Sequence, residues 1–196
     1  MKTKKRNRSV AAFLLCAVLL VCAGCGDAGH EDENVGAGDG VVNDFSDNGD
    51  NQGEDQVQER IQVPDFEMTL SDGGTLSFKE CSGKKVLLNF WATWCGPCVG
   101  EMPALQKLAD EFPEELVILA VNCSEDKGTV QKFIKNNGYT FPIVLDTDGA
   151  IQFMFGGITS LPTTFIIDEE GYIVAAGSGA SDADSMYKVY KEALGL

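Results

Sequence analysis

The residues of this chain best suited to chemistry are two cysteines two residues apart, Cys95 and Cys98, in Trp94-Cys95-Gly96-Pro97-Cys98. They follow Lys85-Val86-Leu87-Leu88-Asn89-Phe90-Trp91, a run with the apolar content of a buried strand. They precede a segment whose Leu105, Leu108, Ala109 and Phe112 fall at helical spacing. The pair thus sits where a strand hands over to a helix. There the first sulfur lies at the helix N-terminus, where unpaired N–H groups and the helix dipole favour a thiolate, and the second lies one turn inside. That arrangement is a reversible dithiol/disulfide couple. A zinc site would need two more ligands, but the single histidine is His30 and the domain has no second well-placed cysteine pair. Haem attachment would need His after the second Cys, where Val99 stands. A purely structural bridge over so short a loop removes little chain entropy. No metal and no cofactor are expected.

The elements that position the pair begin well into the chain. Residues 1–24 carry Lys2, Lys4, Lys5, Arg6 and Arg8, then an apolar run from Val10 to Ala23, the composition of a secretory signal. That run is shorter than the ~20 residues a membrane-spanning helix requires. Ala23-Gly24-Cys25 resembles the bacterial lipobox, in which the cysteine is lipidated; Cys22 stands where Leu is usual, and simple cleavage with release is the alternative. Residues 25–60 hold eleven acids against Arg60, too little apolar content for a core, and are expected to form a disordered acidic tether. Neither a calcium loop near Asn48–Glu59 nor a nucleotide loop at Gly36–Gly40 has the ligands or flanking elements it needs.

Residues 61–196 form one domain of ordinary size. All 30 acids but only 10 of the 15 Lys and Arg lie after residue 24, a balance of about −20, which disfavours nucleic acid and anionic surfaces as partners. Val63–Leu70 and Thr75–Phe78 alternate around Ser71-Asp72-Gly73-Gly74, the pattern of a β-hairpin. The strand 85–91 and a helix over about 95–111 follow, with Pro103 inside it, where it removes one backbone hydrogen bond and kinks the axis. Leu116–Val121 is a buried, parallel strand. A helix over about 129–136 closed by Gly138, an extended Phe141–Leu145 and a short helix at about 150–155 come next. Thr163–Asp168 and Tyr172–Ala176 form a second hairpin around Glu169-Glu170-Gly171, and a last helix spans about 183–194. The implied fold class is α/β, a central mixed sheet flanked by helices.

These segments together resemble the thioredoxin superfamily, in its extracytoplasmic TlpA/ResA-like branch. The resemblance covers the chain from about Val63 and rests on Asn89-Phe90-Trp91-Ala92-Thr93-Trp94-Cys95-Gly96-Pro97-Cys98, on Glu101-Met102-Pro103 and on Leu161-Pro162-Thr163-Thr164-Phe165. It implies a thioredoxin fold with an N-terminal β-hairpin and an inserted βα unit between Asn122 and Phe155. By the same resemblance Cys95 is the attacking thiolate and Cys98 the resolving thiol. Glu101, three residues after Cys98 on one helix, can accept the Cys98 proton. Thioredoxin has a buried Asp where this chain has Asn89, which shifts that role further onto Glu101. Pro162 matches the cis-proline that faces the dithiol, Leu161 offers its backbone to a substrate strand, and Trp94, Gly96 and Pro97 border the partner. Trp91, Cys81 and Cys123 are expected in the core.

The function so implied is that of an extracytoplasmic, lipid-anchored, monomeric thiol–disulfide oxidoreductase. It would reduce disulfides of exported proteins, as in cytochrome c maturation, with electrons from a membrane thiol relay. A disulfide-forming oxidase and an electron donor to an extracellular methionine sulfoxide reductase are the alternatives. The peroxiredoxin pattern Pro-x-x-x-Thr-x-x-Cys is excluded, because its Pro and Thr positions hold Leu88 and Ala92.

Overall fold

A computed structural model describes residues 60–196. The signal segment, Cys25 and the tether up to residue 59 lie outside the described residues.

Glu67–Thr69 (β1) and Thr75–Ser77 (β2) pair antiparallel with Met68 opposite Leu76, so the first hairpin forms, though shorter than its alternation suggested. Its turn requires Gly73, whose φ of 103° lies in the left-handed region. Phe78–Cys81 then coil into a short 3-10 turn: the Phe78 N–H still donates to the Phe66 carbonyl at 2.9 Å, while the Ser77 N–H, facing away from β1, donates to the Glu80 carboxylate at 2.7 Å. Val63 is likewise not part of β1. Its N–H donates to the Gly171 carbonyl, and Gln62 bridges Tyr172, so the entering chain extends the far edge of the main sheet.

The main sheet has five strands in the order β5-β4-β3-β6-β7: Ile143–Asp146, Leu116–Cys123, Lys85–Trp91, Thr163–Ile167 and Ile173–Ser178. β5, β4 and β3 pair parallel, and β6 pairs antiparallel with both β3 and β7, a mixed sheet with β3 at its centre. Gly96–Glu111 (α1) follows β3 and continues through Pro103. Lys127–Asn137 (α2), β5 and Ala150–Met154 (α3) make up the inserted unit between β4 and β6, and Ala183–Ala193 (α4) closes the chain. Gly138 ends α2 with φ 75°, the left-handed cap that glycine adopts without a Cβ penalty. This is the mixed sheet that the segment order implied and the thioredoxin-like fold that the resemblance implied.

Both faces of β3 are covered, which is why it is apolar nearly throughout. Leu87 and Trp91 share one core with Leu105 and Leu108 of α1 and with Met186 and Tyr190 of α4. Val86, Leu88 and Phe90 share the other with Met68, Phe78, Phe165 and Ile151. Phe90 meets Phe155 and Phe165 at ring-centroid distances of 5.6 and 6.1 Å, and Trp91 packs on Phe133 at 5.3 Å. The strand's period of two therefore sends residue 89, an asparagine, into the α1 and α4 layer. Among the described residues no helix is long and apolar enough to cross a membrane.

Candidate active site

The parallel strands β3, β4 and β5 end along one edge of the sheet, and the cysteine pair sits there. From Trp91 the chain turns through Ala92–Trp94, and Cys95 becomes the residue that caps α1. Its Sγ accepts from the Cys98 N–H at 3.3 Å, so one orphan donor of the helix's first turn points at the sulfur. Cys95 and Cys98 form a disulfide, with Cα atoms 5.3 Å apart. Cys95 is 6% exposed and Cys98 is 0% exposed, so an incoming group meets the first sulfur before the second. Pro97 lies in the first turn of α1, where a missing N–H leaves no hydrogen bond unmade.

The surroundings of Cys95 are open on one side. Trp94 is 72% exposed, and a Cβ placed on Gly96 would meet nothing within 4 Å. Thr163 pairs with Phe90, so Leu161 and Pro162 just before it lie at the same sheet edge as Trp91, and their peptide bond is cis as the resemblance implied. Trp91 is fully buried core, as expected of it. The loop before Cys95 is held by a residue that the sequence did not single out. Glu125, just after β4, accepts from the Thr93 N–H at 2.7 Å, the Thr93 hydroxyl at 2.5 Å and the Asn122 amide at 2.7 Å. Thr93 and Glu125 are 32 positions apart in the chain, and no local pattern links them.

Glu101 is 0% exposed. Helical spacing alone allowed an exposed glutamate here, but α4 covers this face of α1. The Asn89 amide donates to Glu101 Oε1 at 2.8 Å and the Tyr190 hydroxyl to Oε2 at 2.7 Å. Burial pushes the carboxyl from its ordinary 4.5 up to about 7, against the downward pull of the bonds from Tyr190 and Asn89. Its charge state therefore changes near neutrality, one helical turn beyond Cys98. Tyr190 and Thr164, which complete this buried group, were also missed; they come from α4 and β6 and meet Glu101 only through the tertiary fold.

Cys81 and Cys123 are buried free thiols. Burial is the main force raising them, Cys81 to about 11 and Cys123 to about 12, so both are protonated and unreactive at neutral pH. Among the described residues no cluster of three or more His, Cys, Asp or Glu could hold a metal ion.

Residues 60–176 match the AhpC/TSA family. The chain belongs to that family. The thioredoxin-like protein YneN of Bacillus subtilis is 43% identical over 120 residues, which are 60% of this chain and 69% of YneN. The thiol–disulfide oxidoreductase ResA of the same organism is 38% identical over 128 residues, 65% of this chain and 71% of ResA. The crystal structure of the pneumococcal exposed lipoprotein thioredoxin Etrx1 from Streptococcus pneumoniae superposes with a TM-score of 0.56 at 32% identity. It covers 66% of this chain and 99% of that one. With this fold, this paired dithiol and relatives of this kind, the family member described here is a thiol–disulfide oxidoreductase of the ResA type. The two positions that the peroxiredoxin pattern fills with Pro and Thr are here Leu88 and Ala92, both buried.

Proposed function

We propose that this oxidoreductase reduces disulfides of exported proteins outside the cytosol, held to the membrane through a lipid on Cys25 and resupplied with electrons by a membrane thiol relay. The observation that carries the reading is the asymmetry of the pair: Cys95 at the capped end of α1, Cys98 fully buried behind it with Glu101 one turn on. Once the pair is reduced, the Cys95 thiolate attacks one sulfur of the partner's disulfide, forming a Cys95–partner bond and expelling the other sulfur as a thiolate, which takes a proton from water. Cys98 gives its proton to Glu101 and its thiolate attacks the Cys95 sulfur. The Cys95–Cys98 bond forms, the mixed disulfide breaks, and the second partner sulfur leaves with the electron pair and is protonated in turn. The partner gains two electrons and two protons, and the enzyme's dithiol becomes a disulfide.

The exposed Trp94, the open surface at Gly96, Pro97, and the Leu161–Pro162 segment are the surface on which the partner's chain rests, with the Leu161 backbone pairing to it. No cation stands between the cysteines, so strong thiolate stabilisation is not expected and the couple falls nearer thioredoxin's about −270 mV than DsbA's about −120 mV. Cytochrome c maturation is the pathway that the TlpA/ResA-like resemblance implies. The exposed lipoprotein thioredoxin among the structural neighbours supports the anchored address.

The deciding experiment expresses Cys98→Ser in the host and recovers Cys95-linked adducts with exported proteins, together with a reduction potential for the wild-type couple. Adducts and a potential well below about −200 mV are expected. A DsbA-like potential would reverse the direction of electron flow, and the absence of any adduct would remove Cys95 as the attacking group.

A further inference from the structure

The three side chains around Glu101 have a donor arithmetic that points to a further role. Asn89 has two amide hydrogens, one bonded to Glu101 Oε1 at 2.8 Å and the other to Thr164 Oγ1 at 2.9 Å. Thr164 therefore accepts from Asn89, and its single hydrogen is left for the Tyr190 oxygen, 3.1 Å away. Tyr190 in turn places its single hydrogen on Glu101 Oε2 at 2.7 Å. Every hydrogen in the ring is thus directed toward the carboxylate. The Asn89 Oδ1 atom, buried and without a partner, takes no part, so residue 89 serves the ring only as a donor.

We propose that Asn89, Thr164 and Tyr190 are positioning residues for the proton transfer at Glu101: in one hydroxyl orientation they hold the carboxyl ionised, and in the reverse orientation they hold it protonated. When Glu101 takes the Cys98 proton on Oε2, that proton points at the Tyr190 oxygen. The Tyr190 hydrogen turns to the second lone pair of Thr164 Oγ1, and the Thr164 hydrogen turns away from the ring. No heavy atom has to move. A carboxyl with no exposure to solvent is cut off from the bulk as its charge changes, and two rotating hydroxyls supply a response from within the fold.

The groups facing Glu101 from each packed element support this. β3 offers Asn89, β6 offers Thr164, and the same face of β4 offers Ile118 and Ala120, none of which titrates. Tyr190 of α4 and Cys98 of its own helix are the titratable neighbours, and no Lys, Arg, Asp or His is among the residues that shift it. Tyr190 itself is pushed up, by burial first and by the Glu101 charge second, so its hydroxyl stays protonated and remains available as a donor. The proton affinity of Glu101 is consequently raised by burial and tuned downward by these hydrogen bonds, with no counter-charge among them.

This inference rests on the reading of Glu101 as the proton acceptor for Cys98, and the test separates the two. Glutamate carboxyls are labelled with carbon-13 in the oxidised full chain, with Glu101→Gln identifying the resonance, and titrated by NMR beside the pH profile of exchange with a model disulfide. Tyr190→Phe removes a donor to the carboxylate and is expected to raise the Glu101 midpoint by about one unit. Thr164→Val, which does not touch the carboxyl, is expected to raise it by a smaller step, and Thr164→Ser to restore it. A Tyr190→Phe midpoint equal to wild type, or Thr164→Val and Thr164→Ser shifting it alike, would overturn the ring. A shifted midpoint beside an unchanged exchange profile would support the ring and retire Glu101 as the acceptor.

Discussion

Glu101 is held neutral below its midpoint by burial, and this has a consequence for the stability of the molecule as well as for its chemistry. The folded value of about 7 lies above the ordinary 4.5, so the neutral carboxyl favours the folded chain fully below pH 4.5, and that contribution is lost as pH rises to 7. A shift of that size corresponds to about 3 kcal/mol. Glu101→Gln, which keeps the shape without the charge, should therefore match the wild type in urea unfolding at pH 4 and exceed it by up to this amount at pH 8. Equal unfolding midpoints for the two proteins at pH 8 would mean that the carboxyl is not buried as described. The same substitution removes the proton acceptor, so stability and exchange rate should move in opposite directions at neutral pH. Asn89 belongs to the same argument. An acid at this position, as in thioredoxin, would set a second carboxyl 2.8 Å from the first, whereas the amide contributes a hydrogen bond.

Among the elements, α3 depends on one side chain. Asp146, buried at the end of β5, accepts from the Ile151 N–H at 3.0 Å, the Gln152 N–H at 2.9 Å and the Gln152 amide at 3.0 Å. A helix of five residues has little stability of its own, so these bonds and the burial of Ile151 and Phe155 against the sheet hold it in place. Asp146→Ala should cost about 1–3 kcal/mol, read as a lower urea midpoint, with Asp146→Asn recovering part of it. An unchanged midpoint would show that α3 stands without its cap. The strands were legible because their runs are predominantly apolar: β3 was placed at 85–91 and is observed there. The short 3-10 turn at Phe78–Cys81 was not, because the carboxylates that hold it, Glu80 accepting from the Ser77 N–H and Asp65 from the Lys79 N–H, leave no trace in the alternation. The Glu125 clasp on Thr93 was hidden for a related reason, since an acid in a loop after a strand has many ordinary uses.

At the scale of the whole molecule, two cores on either side of one sheet separate the reactive sulfurs from the inert ones. Cys81 and Cys123 lie in the core on the hairpin side and carry strongly raised thiol values, while Cys95 stands at the sheet edge. After mild reduction at pH 8, iodoacetamide should modify Cys95 within minutes and leave Cys81 and Cys123 intact, as read by mass spectrometry of the peptides. Those two should react only at the rate at which the domain opens, and that rate should rise with urea. Labelling of either at the Cys95 rate in native protein would mean that the core on the hairpin side is not closed.

The order of strands and helices, the α/β class, the redox pair at a strand-to-helix junction and the tyrosine-free part of the site were written in local pattern: apolar periodicity, glycine turns and a motif of ten consecutive residues. These are short-range properties, and a chain carries them before it folds. What the tertiary structure decided was the environment of each group. Helical spacing left Glu101 free to be exposed or buried, and the packing of α4 over α1 settled that it is buried, at about 7, between an amide from β3 and a hydroxyl from 89 residues further along. Proton affinity depends on what lies within a few ångströms in space, and only the folded chain brings Asn89, Thr164 and Tyr190 to that distance.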